Sequence, residues 1–433
     1  MYKKFIISIL GAFCAFSIFI FFPFADYAQD KITIQKEGDV EVISNPKRPI
    51  PENGLKKRLV FEEDLSIGVA EGEENYMFGE AICFNTDNKG NFYVSDLETL
   101  RIQKYSSQGK YLLTIGRKGQ GPREFQSLSV PRFDTDGNLY ICDVTSRRIS
   151  FFSKDGKFLK QIEMPGLHEN IYMNSKGLMV ANQEEQIPSE NALTIFSTFE
   201  LLGEEFSTLA ELQKIKREIA LPGKDLSSRF QIMANMINLM VFKPQDFLTL
   251  ARNDFIYVGH PDEYEIKIFS PEGKLLKKII RDYEPVPVSQ KDMKDFEEEL
   301  SLEETFRNVP EDYRKKIFQL IKYPKYKPAY QSHTLIGSGF NQSLALMENG
   351  WLALIVDYVK GEYTIFDLFN HEGRYIANFE AAIPPEGLFF NNGKAYAIST
   401  EEGYKFVKRY RIKLQELKGN NWVDSPLNKQ IFK

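Results

Sequence analysis

The chain has 433 residues, 42% hydrophobic and 13% aromatic, with a net charge of −5 and an isoelectric point near 5.7. That apolar share is ample for a large packed core, and the excess of Phe and Tyr is what strand-rich chains tend to carry. The acidic balance argues against nucleic acid, which selects a basic face.

Residues 1–28 read as a signal peptide or membrane anchor: Lys3 and Lys4 precede an apolar run over residues 5–24, followed by Ala25, Asp26, Tyr27 and Ala28. A basic segment ahead of an apolar one marks export. The run is also long enough to span a bilayer uncleaved, and Asp26 spoils the small-x-small cleavage pattern. The expectation is a periplasmic, secreted or envelope-anchored protein, with cleavage favoured over a retained membrane tether. Cys14 does not make a lipoprotein signal, because Phe13 stands where a small residue is wanted. The other cysteines, Cys83 and Cys142, are expected as buried free thiols in preference to a disulfide. Residues 29–58 carry Pro46, Pro49 and Pro51 and read as a polar tether with one strand over 31–35. Residues 59–67 alternate weakly and are expected to close a ring by joining the last unit of the fold, since closure removes exposed sheet edges.

The stretch 88–125 then says much what 134–166 says again. Gly90 matches Gly137, Asp96 matches Asp143, Arg101 matches Arg148 and Gly109 matches Gly156, each pair 47 residues apart. A constant period of that size marks stacked units of the propeller type. Four short strands make the first unit, at 81–84, 91–96, 101–105 and 110–115, and the turns at Gly109 and Gly156 place glycine where a positive φ is needed. A weaker third unit spans 177–182 and 193–202. The fourth is plain at 254–258 and 265–274, with the same offset from Asp254 to Gly273 as from Gly90 to Gly109. A fifth runs over 350–354, 363–366 and 372–374, a sixth over 393–398 and 405–412, and residues 416–433 form a C-terminal tail. The predicted architecture is an all-β six-bladed propeller of four-stranded blades over residues 59–415.

Two insertions with helical period interrupt it, at about 206–247 and 284–326. In the first, Ser228 and Gln231 suggest a capping box, and Met233, Met236, Ile237, Met240 and Val241 share one face; in the second, Ser301 and Glu304 suggest another, and Tyr313, Ile317, Leu320 and Ile321 form a stripe after Pro310. Both stripes are expected to pack on the propeller rim.

The pattern of Gly90 to Asp96, Arg101 to Tyr105, Gly109 to Leu113 and Gly116-Arg-Lys-Gly-Gln-Gly-Pro-Arg-Glu-Phe125 resembles the NHL repeat. The resemblance covers about 59–414 and implies a bacterial six-bladed propeller. Propellers of that kind include protein and RNA binders, lactonases and lyases, so it does not imply an activity. Asp96 with Arg101 and Asp143 with Arg148 are expected to link neighbouring strands as a repeated scaffold device. Gly116, Gly119 and Gly121 lack the Lys-Ser/Thr of a phosphate loop and read as an inter-blade linker.

Catalytic residues are not identifiable. Lactonase-like propellers hold a divalent cation on carboxylates and Asn, and no matching set stands out; zinc-dependent lyase propellers use histidines, of which this chain has only His168, His260, His333 and His371. No metal ligands or cofactor are therefore assigned, a divalent cation being what an enzyme would need. The candidate binding residues are Arg117, Lys118, Arg123 and Arg132, a basic cluster suited to an anionic or carboxylate-bearing ligand. The expected role is a monomeric, non-enzymatic binding scaffold for a protein, peptide or glycan. The alternative is a metal-dependent hydrolase or lyase at the channel mouth; a third reading, a structural partner in an envelope complex, would call for an exposed apolar patch on the 233–241 helix.

Overall fold

The computed structural model describes residues 31–54, 56–223, 226–242, 246–302, 304–330, 344–347, 350–359 and 363–417. Residues 1–28, expected from sequence to be a signal peptide or membrane anchor, and most of the C-terminal tail lie outside the described residues.

Six antiparallel four-stranded meanders make six blades. Blade 1 is Ile82–Thr86, Phe92–Asp96, Arg101–Tyr105 and Tyr111–Ile115, and blade 2 is Arg132–Phe133, Leu139–Asp143, Arg148–Phe152 and Phe158–Glu163. Blade 3 has the long strands Met179–Pro188, Ala192–Leu202 and Thr208–Ala220 outside Leu167–Met173; blade 4 runs from Phe247–Leu250 to Leu275–Arg281, and blade 5 from Leu344–Leu346 to Tyr375–Ala381. Blade 6 takes three strands from the C-terminal region, Phe389–Asn391, Lys394–Glu401 and Tyr404–Leu417, and its outer one, Lys56–Ile67, from the N-terminal region. That strand contains the segment expected to close the ring and pairs with Tyr404–Leu417 from Lys56↔Leu417 to Ile67↔Val407.

Each seam between blades holds one apolar cluster. In the second strand of blade 1, Phe92 and Val94 pack with Tyr396 and Ile398 of blade 6, while Tyr93 between them packs with Leu139 and Ile141 of blade 2. Successive side chains point to opposite faces of a strand, so a strand covered on both faces is apolar throughout rather than alternating. The turn glycines serve the same stacking. Gly109 has φ +80°, and a Cβ there would press on Leu65 and Ile67 of blade 6; Gly156, with φ +74°, sits equivalently on Leu113 and Ile115 of blade 1. The period thus records a backbone turn that must also lie flat on the preceding blade. Cys83 and Cys142 are buried and unpaired with each other.

The stretch read as a tether is largely built in. Thr33–Glu37 and Val40–Asn45 form a hairpin whose second strand pairs in parallel with Leu275–Arg281, widening blade 4 to six strands. Lys277 meets Glu41 at 2.9 Å and Lys274 meets Asp39 at 2.8 Å across this added edge. The buried Asn45 then crosses to blade 5: its Nδ2 donates to the carbonyls of Ile280 (3.2 Å) and Gly373 (3.0 Å), and its Oδ1 accepts from the Tyr375 N–H (2.7 Å). Residues 33–67 therefore brace blades 4, 5 and 6 in turn.

Helices α1 (Leu226–Asn238), α2 (Gln290–Leu302), α3 (Glu304–Arg307) and α4 (Glu311–Phe318) come from the two insertions. The first insertion starts later than expected, because Thr208–Ala220 is the outer strand of blade 3. Both capping boxes are misplaced. Ser228 lies inside α1, and Ser301 lies near the end of α2, where its Oγ donates back to the Glu297 carbonyl at 2.7 Å. The working box is Ser289 with Asp292: the Asp292 N–H donates to Ser289 Oγ (3.1 Å), and the Ser289 N–H donates to the Asp292 carboxylate (2.8 Å). The two insertions also pack on each other. Ala234, Ile237 and Val241 meet Leu300, Phe306, Ile317 and Ile321 in a core of their own, so they form one helical lobe.

Candidate functional site

In an antiparallel four-stranded meander, the turn between the second and third strands and the connection leaving the fourth emerge at the same end. Both insertions are connections of that second kind, so the lobe stands on this face, here called the upper one. The extended part of blade 3 rises there too, ending at residues 189–191 and at Ala220. At the opposite face the turns of blades 4, 6 and 1 meet: Arg252 donates to Asn392 Oδ1 (3.1 Å) and Asn392 Nδ2 donates to the Asn88 carbonyl (3.5 Å).

The four basic residues do not form one cluster. Arg117, Lys118 and Arg123 are exposed on the connection from blade 1 to blade 2. Arg117 is already engaged by Glu124, its Nε donating at 2.9 Å, and Glu124 also accepts the N–H groups of Gln120 and Gly121. Arg132 lies apart, in the first strand of blade 2, with its guanidinium carbon 3.5 Å from the centroid of the Tyr172 ring in the first strand of blade 3.

The Asp/Arg repeats are scaffold: each pair faces across neighbouring strands as expected, at long ion-pair distance, and each member does more than link the strands. Asp143 and Arg148 come no closer than 3.8 Å, and Asp96 and Arg101 no closer than 4.0 Å. Each holds the connection arriving from the preceding blade. Asp143 accepts the N–H groups of Gln126 and Ser127 (both 3.0 Å) and the Ser127 hydroxyl (2.9 Å), while Arg148 donates to the carbonyls of Gln120 (3.0 Å) and Glu124 (2.6 Å). In blade 1, Asp96 accepts the Gly79 N–H and Arg101 reaches Glu74. These contacts order the loop that the glycine pattern marked.

Blade 4 breaks this rule beneath the lobe. His260 follows Asp254 at the offset by which Asp96 follows Gly90, and Glu265 stands where Arg101 would be. A histidine replaces the acid and an acid replaces the arginine. His260 Nδ1 lies 2.5 Å from Asp246 Oδ1, on the connection that carries α1, and Gln213 Nε2 donates to the same oxygen at 2.7 Å. Lys267 then donates to Gln213 Oε1 (3.0 Å) and pairs with Glu265 (3.2 Å). The bond to Asp246 raises the His260 pKa against the opposing effect of burial. Sequence reading weighed His260 only as a zinc ligand; the signal that could have found the pair was its departure from the repeat.

Other titratable groups are set by burial. His168 is buried against Phe206, its pKa lowered by desolvation, and Glu169 is raised by desolvation with Glu184 adding to it. Burial pushes the Cys142 thiol up to about 12, which leaves it inert as a nucleophile. Among the described residues no group of three or more His, Cys, Asp or Glu side chains is placed to hold a metal ion, so the hydrolase alternative gains no ligand set from them. His333 lies outside the described residues.

On α1 three faces separate. Gln231, Asn235 and Asn238 point toward blade 3 and the end of α4, where Asn235 Nδ2 donates to the Ala220 carbonyl (3.0 Å) and Asn238 Oδ1 accepts the Lys322 N–H (2.7 Å). Ala234, Ile237 and Val241 are buried in the lobe core. Met233, Met236 and Met240 are outward and 38%, 53% and 37% exposed.

The family model described as 6-bladed beta-propeller, DUF5128, matches residues 80–180, which span blades 1 and 2 and the start of blade 3. No curated protein matches the chain. Among solved structures, the chain is similar to a candidate exported protein of Bacteroides fragilis at 12% identity and a TM-score of 0.50, covering 87% of this chain and all of that one. Looser likenesses reach a member of the DUF4221 family from Bacteroides vulgatus (9% identity, TM-score 0.43, 84% and 99% of the two chains) and a catalytically inactive virginiamycin B lyase from Staphylococcus aureus with quinupristin (9%, 0.37, 82% and 99%). At these identities the likeness is one of fold, and the fold is a six-bladed β-propeller of four-stranded blades.

Proposed function

We propose that the protein is an exported, non-enzymatic binding scaffold that takes a polypeptide ligand on the lobe-bearing face. The observation that carries this reading is α1. Its buried face completes the lobe core, yet Met233 and Met236 on the helix and Met240 in the turn that follows it stay outside that core and open to solvent. Methionine stripes adapt to varied apolar partners, and contiguous exposed apolar side chains are otherwise avoided on a folded surface. The sequence led to the expectation that this stripe packs on the propeller rim; instead Ile237 and Val241 turn into the core shared with the second insertion, and the three methionines are left outside it. The basic segment and apolar run at the N-terminus support export, as does the likeness to a candidate exported protein of Bacteroides fragilis. A rigid ring presenting a raised lobe suits recognition of a protein or peptide; a glycan would call for aromatic or polar groups where the methionines stand.

The test is selection from a displayed random-peptide library on the purified protein and on a Met233→Glu/Met236→Glu/Met240→Glu variant. Peptides with apolar residues at helical spacing should be enriched on the parent and lost on the variant. Enrichment that is equal on both, or absent from both, would refute the lobe as the recognition surface.

A further inference from the structure

Among the described residues, Arg132 has no carboxylate counter-charge within ion-pair distance. It follows Pro131 in the two-residue first strand of blade 2, and its neighbours come from the first strands of three successive blades: Cys83 in blade 1, its own strand in blade 2, and Tyr172 in blade 3. Only the axial side of a propeller brings first strands together in this way, so the guanidinium lies at the ring axis. The groups around it are the phenols of Tyr172 and Tyr140 and the thiols of Cys142 and Cys83. The polar partner of Arg132 is the Tyr172 phenol, whereas Arg148 and Arg281 are spent on carbonyls and on Asp143 and Asp367. A half-buried guanidinium without such partners is costly.

From this we infer that the axial side of blades 1 to 3 binds a carboxylate, with Arg132 as its anchor. The 3.5 Å stacking on Tyr172 occupies one face of the guanidinium and leaves its N–H edge, the fork that a planar carboxylate matches in a two-point contact. Tyr172 is itself fixed, because its hydroxyl donates to the Leu248 carbonyl at 3.2 Å, so the fork is held in place before the ligand arrives. No second lysine or arginine is among the groups acting on Arg132, which favours a carboxylate over a phosphate dianion. The inference deepens the scaffold reading: the carboxylate is that of a bound peptide's C-terminus or of a free small acid.

The experiment is calorimetric titration of the purified protein with succinate, with the tripeptide Gly-Gly-Leu and with its C-terminal amide. The wild type is compared with Arg132→Gln and Arg132→Lys. Binding of the free-acid peptide but not of the amide or succinate assigns the site to peptide C-termini; binding of succinate as well assigns it to small carboxylates generally. In either case Arg132→Gln should weaken affinity at least 10-fold and Arg132→Lys by less. Should Arg132→Gln fail to fold, Arg132→Lys, which keeps the charge but loses the fork, carries the comparison. Failure of all three probes on the wild type, or affinity unchanged in both variants, overturns the inference. A scaffold that binds through its lobe alone would fail here and still pass the display selection.

Discussion

Replacing Asp143 by alanine should cost more than the same change at its repeat partner Asp96. The Asp143 carboxylate is fully buried and accepts four hydrogen bonds, from the N–H groups of Gln126, Ser127 and Ser146 (each 3.0 Å) and from Ser127 Oγ (2.9 Å). At about 1 kcal/mol for each donor left without an acceptor, the loss is about 4 kcal/mol. Removing the negative charge 3.8 Å from the buried Arg148 adds about 1 kcal/mol more. Asp96 accepts three backbone bonds, two at 3.1 Å and one at 3.4 Å, with Arg101 farther off at 4.0 Å. The corresponding loss there is about 2–3 kcal/mol. Asp143→Asn keeps the oxygen that serves Ser127 and Ser146 but turns a donor toward the Gln126 N–H, so it should fall between. Urea unfolding followed by circular dichroism, with midpoints compared at common slope, measures these differences. If Asp96→Ala proves as costly as Asp143→Ala, or Asp143→Asn behaves as wild type, the anchoring of the inter-blade connection by that carboxylate is wrong.

Three further outcomes are expected. Gly116→Ala, with φ +75° and a Cβ that would overlap the Phe125 ring, should cost about 3 kcal/mol, whereas Gly177→Ala, with φ +77° and open space around it, should cost about 1 kcal/mol; thermal melts of the two variants give the comparison. Because the folded His260 pKa is raised above its unfolded value, the stability it contributes is fully present below pH 6.5 and is lost as pH rises through the folded pKa. The gap between wild type and His260→Gln, read from urea midpoints, should therefore shrink on going from pH 6 to pH 9; a gap that widens would refute the pairing with Asp246. Asn45→Ala should cost about 2–4 kcal/mol by stranding the Tyr375 N–H and the Gly373 and Ile280 carbonyls, and should make residues 33–54 the first site cut in limited proteolysis.

What could be read from sequence followed the strength of the repeat. Blades 1, 2 and 4 were legible because Gly109, Gly156 and Gly273 must sit at positive φ against the preceding blade, a constraint no other residue meets cheaply. Blade 3 was faint because its strands are lengthened, and Thr208–Ala220 carries apolar residues at a spacing that also suits a helix. The N-terminal hairpin was hidden by its charges: Lys36, Glu37, Asp39 and Glu41 read as solvated tether, though three of them pair with lysines of blade 4. The alternation of Val40, Val42 and Ser44 was the available hint. Arg132 was singled out as basic, but its neighbours in the ring come from strands distant in sequence, so its separation from Arg117, Lys118 and Arg123 could not be seen. The pairing of His260 with Asp246 and Gln213 is likewise a product of the ring.

A chain made from its N-terminus has a particular difficulty with this architecture. Val40–Asn45, paired at first only with Thr33–Glu37, keeps one open edge until Leu275–Arg281 exists, and Lys56–Ile67 has no partner until Tyr404–Leu417, the last strand described, has emerged. Both early strands must wait, with unsatisfied backbone edges, through the synthesis of almost the whole ring. Their sequences suit that wait, since Lys36, Glu37 and Glu41 in one segment and Lys56, Lys57, Arg58, Glu62, Glu63 and Asp64 in the other discourage premature strand pairing. The last closure is also the longest in sequence, so assembly of blade 6 should be slow and should convert a set of loosely stacked blades into a ring in one late step.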